Sequence, residues 1–155
     1  MSIDLCLLAD RVEFIPKIAQ WYFDEWGDYA PGNSLEKTVE RIKGKLNRAC
    51  APLHIVAEEN GQPIGVGQLK LREMKEFPEL EFWLGSVYVP TACRGRGVAS
   101  RICAKIAEVA RSFGIVKLYL QTEQLDGGLY ARQGWQPRER LLVDGVPVLV
   151  MSRDL

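Results

Sequence analysis

The sequence predicts one α/β domain, with a twisted, mixed and mostly antiparallel sheet of about seven strands flanked by four helices. Three observations lead there. The run from Val87 to Leu120 reads as strand, glycine loop, amphipathic helix and strand, a βαβ unit with parallel pairing and a right-handed crossover. Asn60-Gly61 and Asp144-Gly145 are tight-turn signals between extended segments, so an antiparallel hairpin is expected on either side of that unit. Finally, 155 residues with 47% apolar content suffice for a single core, and no linker or repeat divides them (domain 1–155).

Taken in order, Ile3 to Leu8 is the first strand. Asp10 and Glu13 mark a helix start, an acid three positions after a good cap, and Pro16 suits the first turn. That helix runs to Trp26, with Ile15, Ile18, Ala19, Tyr22 and Trp26 near one face, and Gly27 ends it. Asp24 to Asn33 is a loop rich in acids and aromatics. Ser34 caps the second helix, where Leu35, Val39, Ile42 and Leu46 recur on one face. Leu53–Glu58 and Pro63–Leu71 are the arms of the first hairpin; Gly65 and Gly67 share a face of the second arm and predict a close neighbour there. Glu79 to Val89 reads as a long strand. Unbroken alternation would put Glu79, Glu81, Trp83, Gly85, Val87 and Val89 on one face. Ala99, Ile102, Cys103, Ile106, Ala107, Ala110 and Phe113 mark the buried stripe of the third helix, which Gly114 stops. Ile115 to Leu120 is a buried strand, Gln121 to Gly128 a polar turn, and Leu129 to Gln133 a short helix ending at Gly134. The tail from Trp135 holds the last two strands.

Composition narrows the function. Twenty basic and twenty acidic side chains cancel, so the basic footprint of a nucleic-acid binder is missing. Four cysteines (Cys6, Cys50, Cys93, Cys103) form no C-x-x-C pair and His54 is the one histidine, which argues against a metal site and for free thiols in a reducing compartment. The N-terminus has no basic segment ahead of an apolar run, and no span is apolar enough for a membrane; a cytoplasmic protein is the expectation.

The chemistry concentrates in Arg94-Gly95-Arg96-Gly97-Val98-Ala99-Ser100. Glycines permit close backbone approach, and the helix start supplies unpaired N–H groups and the positive end of its dipole. Together they form a cradle for a phosphate or pyrophosphate. The triphosphate-binding string G-x-x-x-x-G-K-[ST] is absent. A dinucleotide site is disfavoured, because Ser100 occupies the third glycine position and too little chain follows for a second βαβ half.

Arg94-Gly95-Arg96-Gly97-Val98-Ala99 resembles the Q/R-x-x-G-x-G/A signature of the GNAT family of N-acetyltransferases. Val87-Tyr88-Val89-Pro90 resembles that family's fourth strand, and Leu129-Tyr130-Ala131-Arg132-Gln133-Gly134-Trp135 its late helix-to-strand segment. The order of elements fits along the whole chain. The resemblance implies acetyl-CoA as cosubstrate and direct transfer of its acetyl group to a primary amine. Amides from Arg94 to Ser100 would hold the pyrophosphate, and the backbone of Val87 and Val89 would pair with the pantetheine arm as an added strand. Tyr130 would be the general acid toward the departing sulfur. Glu81, with Glu79 second, is the expected base, on the supposed shared face with Val87. Val89 N–H is the expected oxyanion donor. One departure stands out: where many members carry Asn, seven residues before the tyrosine, this chain has Glu123, flanked by Thr122 and Gln124.

Acceptor residues would come from Glu25, Trp26, Asp28 and Tyr29, whose acids and aromatics suit a small cationic amine or a peptide N-terminus. Arg138 and Arg140 would instead favour an acidic peptide. A homodimer through the last strands is a further expectation. The rival readings are a non-catalytic acyl-CoA-binding module and a dinucleotide-dependent oxidoreductase.

Overall fold

Asn60 and Gly61 turn the chain with φ of 53° and 74°, and Asp144 and Gly145 with 49° and 80°, the paired positive values of a type I′ hairpin turn. The computed structural model describes residues 2–27 and 31–155. Its elements in order are β1 (Asp4–Leu7), α1 (Ile15–Trp26), α2 (Leu35–Lys43), β2 (Leu53–Glu59), β3 (Gln62–Leu71), β4 (Phe82–Tyr88), α3 (Val98–Ser112), β5 (Lys117–Thr122), α4 (Gly128–Arg132), β6 (Gln136–Val143) and β7 (Val146–Asp154). The strands form one sheet in the order β1-β2-β3-β4-β5-β7-β6. β4 and β5 pair in parallel, on either side of the α3 crossover, and every other neighbouring pair is antiparallel. Among the described residues, the α/β mixed sheet of seven strands and the four α-helices match the expectation.

α3 covers one face of the sheet. Ile102, Ile106 and Ala110 pack on Leu53, Ile55, Leu69, Leu84, Leu118 and Leu120, all fully buried. The glycines of β3 explain how closely it lies. A Cβ on Gly67 would stand 2.7 Å from Ile102 Cγ2, and one on Gly65 2.9 Å from both Ile102 Cδ1 and Val98 Cγ1. The close neighbour foreseen on that face is α3. The opposite face, at the β1–β3 end, buries Val56 and Val66 under Leu8, Ile15, Ile18, Tyr22 and Ile42 of the segment from Leu8 through α2. Further along, Trp83 packs with Met74, Leu80, Val148 and Val150, and its indole N–H donates to Leu80 O at 2.7 Å, tying the excursion before β4 to the sheet.

Three boundaries differ from expectation. Two 3-10 turns, Leu8–Asp10 and Val12–Phe14, precede α1, so Asp10 does not cap it; Arg11 instead turns inward to pair with Glu58 at 3.0 Å. Trp26 is 37% exposed, at the edge of the buried stripe rather than within it. β4 starts at Phe82, which leaves Glu79 and Glu81 outside the strand.

Candidate active site

Beyond Trp83↔Tyr119, the one registered pair between β4 and β5 among the described residues, the two strands part. The cause lies in β4. Tyr88 pairs with Val66 and Gly85 with Gln68, so Ser86 and Val87 together face the single residue Gly67. Ser86 takes a positive φ of 49°. An extra residue of this kind bends and twists a strand. It also ends the alternation assumed through Glu79–Val89. Val87 Cγ2 and Val89 Cγ2 approach the β3 glycines from the α3 side, 3.4 Å and 3.3 Å from the Cβ positions of Gly67 and Gly65. Trp83 faces the other way, into the cluster with Met74 and Val150. Val87 and Val89 therefore do not share a face with Glu81.

A cleft of about 330 Å³ opens in the gap between the strands. Val87, Tyr88, Val89, Arg94 and Ala99 line one wall, Thr122, Gln124, Leu129 and Tyr130 the other, and Glu25 and Trp26 the rim. Arg94 and Ala99, which line the cleft, flank the cradle loop in sequence. Gly95 and Gly97 hold φ of 79° and 74°, and an added Cβ at either would meet nothing within 4 Å. They are required for the turn, and the space above them is open. α3 starts at Val98 with its first helical bond from Arg101 N to Gly97 O, so the N–H groups of Val98, Ala99 and Ser100 lie before the ladder begins. Among the described residues no side chain caps this terminus. A pyrophosphate is the kind of group such an end accepts.

The two loop arginines are less available than their charge suggests. Arg96 donates through both Nη atoms to Glu59, at 3.1 Å and 2.5 Å, and this bidentate pair holds the Glu59 carboxyl below its ordinary range. Its role is to fasten the loop to the β2–β3 hairpin. Arg94 Nε donates to Val89 O at 2.8 Å and its guanidinium lies 5.9 Å from the Tyr88 ring centroid, so it braces the end of β4 while still lining the cleft. The loop's anion-binding capacity therefore rests on backbone amides more than on these side chains.

Tyr130 stands on α4, partly buried, with its ring 6.3 Å from that of Trp135. Burial raises its pKa, so the phenol stays protonated and able to donate. Thr122 and Gln124 line the cleft, whereas Glu123 is exposed and outside its lining. The anionic side chain at the departure from the GNAT pattern thus lies outside the cleft lining, and two neutral neighbours are part of it. Cys93 packs against the α3-side core, and burial pushes the Cys103 thiol up to about 12, which keeps Cys103 from acting as a nucleophile.

Glu81 is not brought to the cleft. Its carboxylate pairs with Arg72 at 2.8 Å on an exposed edge, and neither Glu81 nor Glu79 is among the residues lining the cleft. The reason is the short, bulged β4. Of the expected acceptor residues, Glu25 and Trp26 reach the cleft rim, and Asp28 and Tyr29 lie outside the described residues. Arg138 stacks over Tyr119 at 5.5 Å, and Arg140 donates to Leu125 O at 3.2 Å.

The profile of the acetyltransferase (GNAT) family matches residues 15–135. The chain belongs to the GNAT family. No curated protein matches it in sequence. Solved GNAT structures share its fold. A ribosomal-protein-alanine N-acetyltransferase from Brucella melitensis superimposes with a TM-score of 0.76 at 22% identity over 100% of both chains. An aminoglycoside 6'-N-acetyltransferase complexed with coenzyme A does so with 0.75 at 14%, covering 99% of this chain and 97% of that one. A Salmonella typhimurium structure with its cofactor acetyl-CoA gives 0.75 at 15%, covering 100% and 95%. The GNAT-matched region includes the cradle, Tyr130 and every residue lining the cleft. Among the described residues no group of His, Cys, Asp and Glu could hold a metal ion, and no helix is long and apolar enough to cross a membrane.

A second cavity of this GNAT domain, about 160 Å³, lies between α1, α2 and the opposite face of the sheet. It meets the cleft at the bulge: Ser86 lines the one and Val87 the other, and Trp26 lines both. Its inner wall holds His54 and Gln68, cross-strand partners that are 1% and 4% exposed. His54 Nδ1 lies 3.1 Å from Lys45 O, an acceptor, so Nδ1 carries the proton and Nε2 is a bare acceptor. Burial lowers the His54 pKa to about 4, well under the ordinary 6.5. The neutral folded form is thus favoured. Its contribution to stability is complete above pH 6.5 and is lost as the pH falls toward 4, at most a few kcal/mol. Unfolding midpoints in urea should drop over that interval, and a His54→Gln variant should show a flatter profile there; parallel profiles would contradict the assignment.

Proposed function

We propose that this chain transfers an acetyl group from acetyl-CoA to a primary amine by direct attack, with no acyl-enzyme. The observation that carries the reading is the β4–β5 gap. Val87 to Val89, Tyr130, and Arg94 and Ala99 on either side of the glycine cradle line the cleft in that gap, which supports the reading. The residues fit the donor part by part. The amides of Val98 to Ser100 face an open space for a pyrophosphate. The cleft-side edge of β4 past Trp83, unpaired with β5, offers backbone groups to the pantetheine amides in the manner of strand addition.

Holding amine and thioester together removes much of the entropic barrier. The C–N bond forms as the C–S bond breaks. Val89 N–H is the donor to the carbonyl oxygen as charge builds there. Tyr130 gives its proton to the departing sulfur and regains the one shed by the new amide nitrogen. Glu81 takes no part in this scheme; the ammonium form of the acceptor loses its proton to solvent. The acceptor enters from the second cavity, which reaches the bulge from the side opposite α3. Of the two acceptor classes suggested by the acids at Asp24–Asp28, neither a cationic amine nor a peptide N-terminus is supported by that cavity's walls. Asp24 is turned out to Gln20 at 2.7 Å, and no carboxylate lines the cavity among the described residues.

Thiol release from acetyl-CoA, followed with a panel of amines, tests the reading. Amine-dependent release is expected. Tight acetyl-CoA binding by calorimetry with no release for any amine would make the chain a binding module, and binding of a nicotinamide dinucleotide in its place would make it an oxidoreductase.

A further inference from the structure

We propose that the second cavity recognises an anionic group on the acceptor, so that the substrate is a small amine carrying its own carboxylate, in the manner of a free α-amino acid. The inference rests on the acetyl-transfer reading and names the substrate class for it.

The wall formed by α2 and the turn after it is cationic. Arg41 and Lys45 line the cavity, and neither meets a carboxylate within ion-pair distance among the described residues. Arg41 is held in place by neutral oxygens, with Nη2 donating to Asn33 Oδ1 at 2.8 Å and to Thr38 Oγ1 at 3.2 Å. Lys45 is partly buried, and its pKa is lowered by that burial and by Lys70 and Arg41. The nearby acid, Glu73, gives Oε1 to Lys70 at 2.7 Å, keeps Oε2 buried without a partner among the described residues, and does not line the cavity. Two cations that line a cavity with no carboxylate among its described lining residues favour an anion arriving with the ligand.

The opposite wall is complementary to an amine. Gln68 Nε2 donates to Tyr22 OH at 3.2 Å, and that hydroxyl donates to Ser86 O at 3.2 Å. This chain fixes the Gln68 amide and leaves Oε1 as an acceptor. Gln68 Oε1 and His54 Nε2 are both buried without a partner among the described residues. Unpaired buried acceptors of this kind are costly, and an amine N–H meets that need. An amino-acid-like ligand satisfies both walls at once, its carboxylate toward Arg41 and Lys45 and its nitrogen toward Gln68 and His54. The nitrogen then lies on the side of Ser86, one residue from the cleft. Arg41 and Lys45 also disfavour an ammonium there, which promotes the loss of its proton. A polyamine lacks the group the cationic wall needs, and a peptide N-terminus lacks a carboxylate next to its amine.

The test measures acetyl-CoA thiol release with the twenty common L-amino acids, 2-aminoethylphosphonate, the α-carboxamides of the amino acids, spermidine and an alanyl tripeptide. At least one acid-bearing amine should exceed its uncharged counterpart by about 30-fold or more in kcat/KM, and an Arg41→Gln/Lys45→Gln variant should shrink that ratio to within about threefold. Acetyl-CoA affinity should not change in the variant. Amides, spermidine or the tripeptide reacting as fast as the acids would overturn the proposal, as would a ratio that survives the double substitution. So would the absence of both turnover and calorimetric binding for every acid-bearing amine in the presence of coenzyme A. Acid-bearing amines that bind through Arg41 and Lys45 while no amine releases thiol would uphold the anion site and overturn acetyl transfer instead.

Discussion

Gly97→Asp should raise the dissociation constant of acetyl-CoA by at least about 100-fold, a loss of roughly 2.7 kcal/mol. Two effects act in the same direction. Position 97 has φ of 74°, where a side chain costs about 1–2 kcal/mol. The larger effect is electrostatic. A carboxylate at the N-cap would accept from the N–H groups of the first turn, which is the attraction proposed for the pyrophosphate, and it would repel a second anion. The same capping interaction supports α3, so the variant should fold, with a urea midpoint close to that of the parent. Gly97→Ala separates the contributions: it carries the strain without the charge and should lose about tenfold or less. Calorimetric titration with acetyl-CoA measures both. Affinity within threefold of the parent in the Asp variant would show that the pyrophosphate lies elsewhere.

That loop was legible in the sequence because its signals are local. A strand, two glycines and the first turn of an amphipathic helix are contiguous, and each forms by short-range geometry. Tyr130 was legible from the resemblance, and it lines the same cleft. What escaped was everything decided across the sheet. Alternation along Glu79–Val89 fails at Ser86 because a bulge forms opposite Gly67, and a single residue's slip reassigns every side chain beyond it. Glu81 was misplaced for that reason. The side chain of Arg96 is committed to Glu59, 37 residues away, through two hydrogen bonds that no local pattern shows. The cationic wall escaped for a different reason. Arg41 and Lys45 follow a helical pattern whose polar positions read as a solvated face, and only the approach of α2 to His54 and Gln68 turns that face into a cavity wall. A signal did exist for the other wall: His54 and Gln68 are polar residues within strands otherwise apolar and buried.

Tyr130→Phe should lower kcat by about 10² to 10³ while changing acetyl-CoA affinity by less than about threefold. The ring's packing, including its edge-to-face contact with Trp135, does not depend on the hydroxyl, so binding and stability should persist. What the substitution removes is the proton offered to sulfur. Burial raises the Tyr130 pKa, so the parent should show no falling limb in kcat attributable to this group through pH 10. A structural role and a chemical one can be separated through the leaving group. If Tyr130 protonates the departing thiolate, an acetyl thioester of a more acidic thiol needs that proton less, and the deficit of the Phe variant should shrink with it. A deficit that stays constant across thioesters of different thiol acidity would make Tyr130 a positioning residue, and normal turnover in the Phe variant would remove it from the chemistry altogether. In that last case the thiolate would have to be stabilised by the cleft's backbone and by the Thr122–Gln124 wall. Substituting those two neutral side chains would then become the measurement that matters.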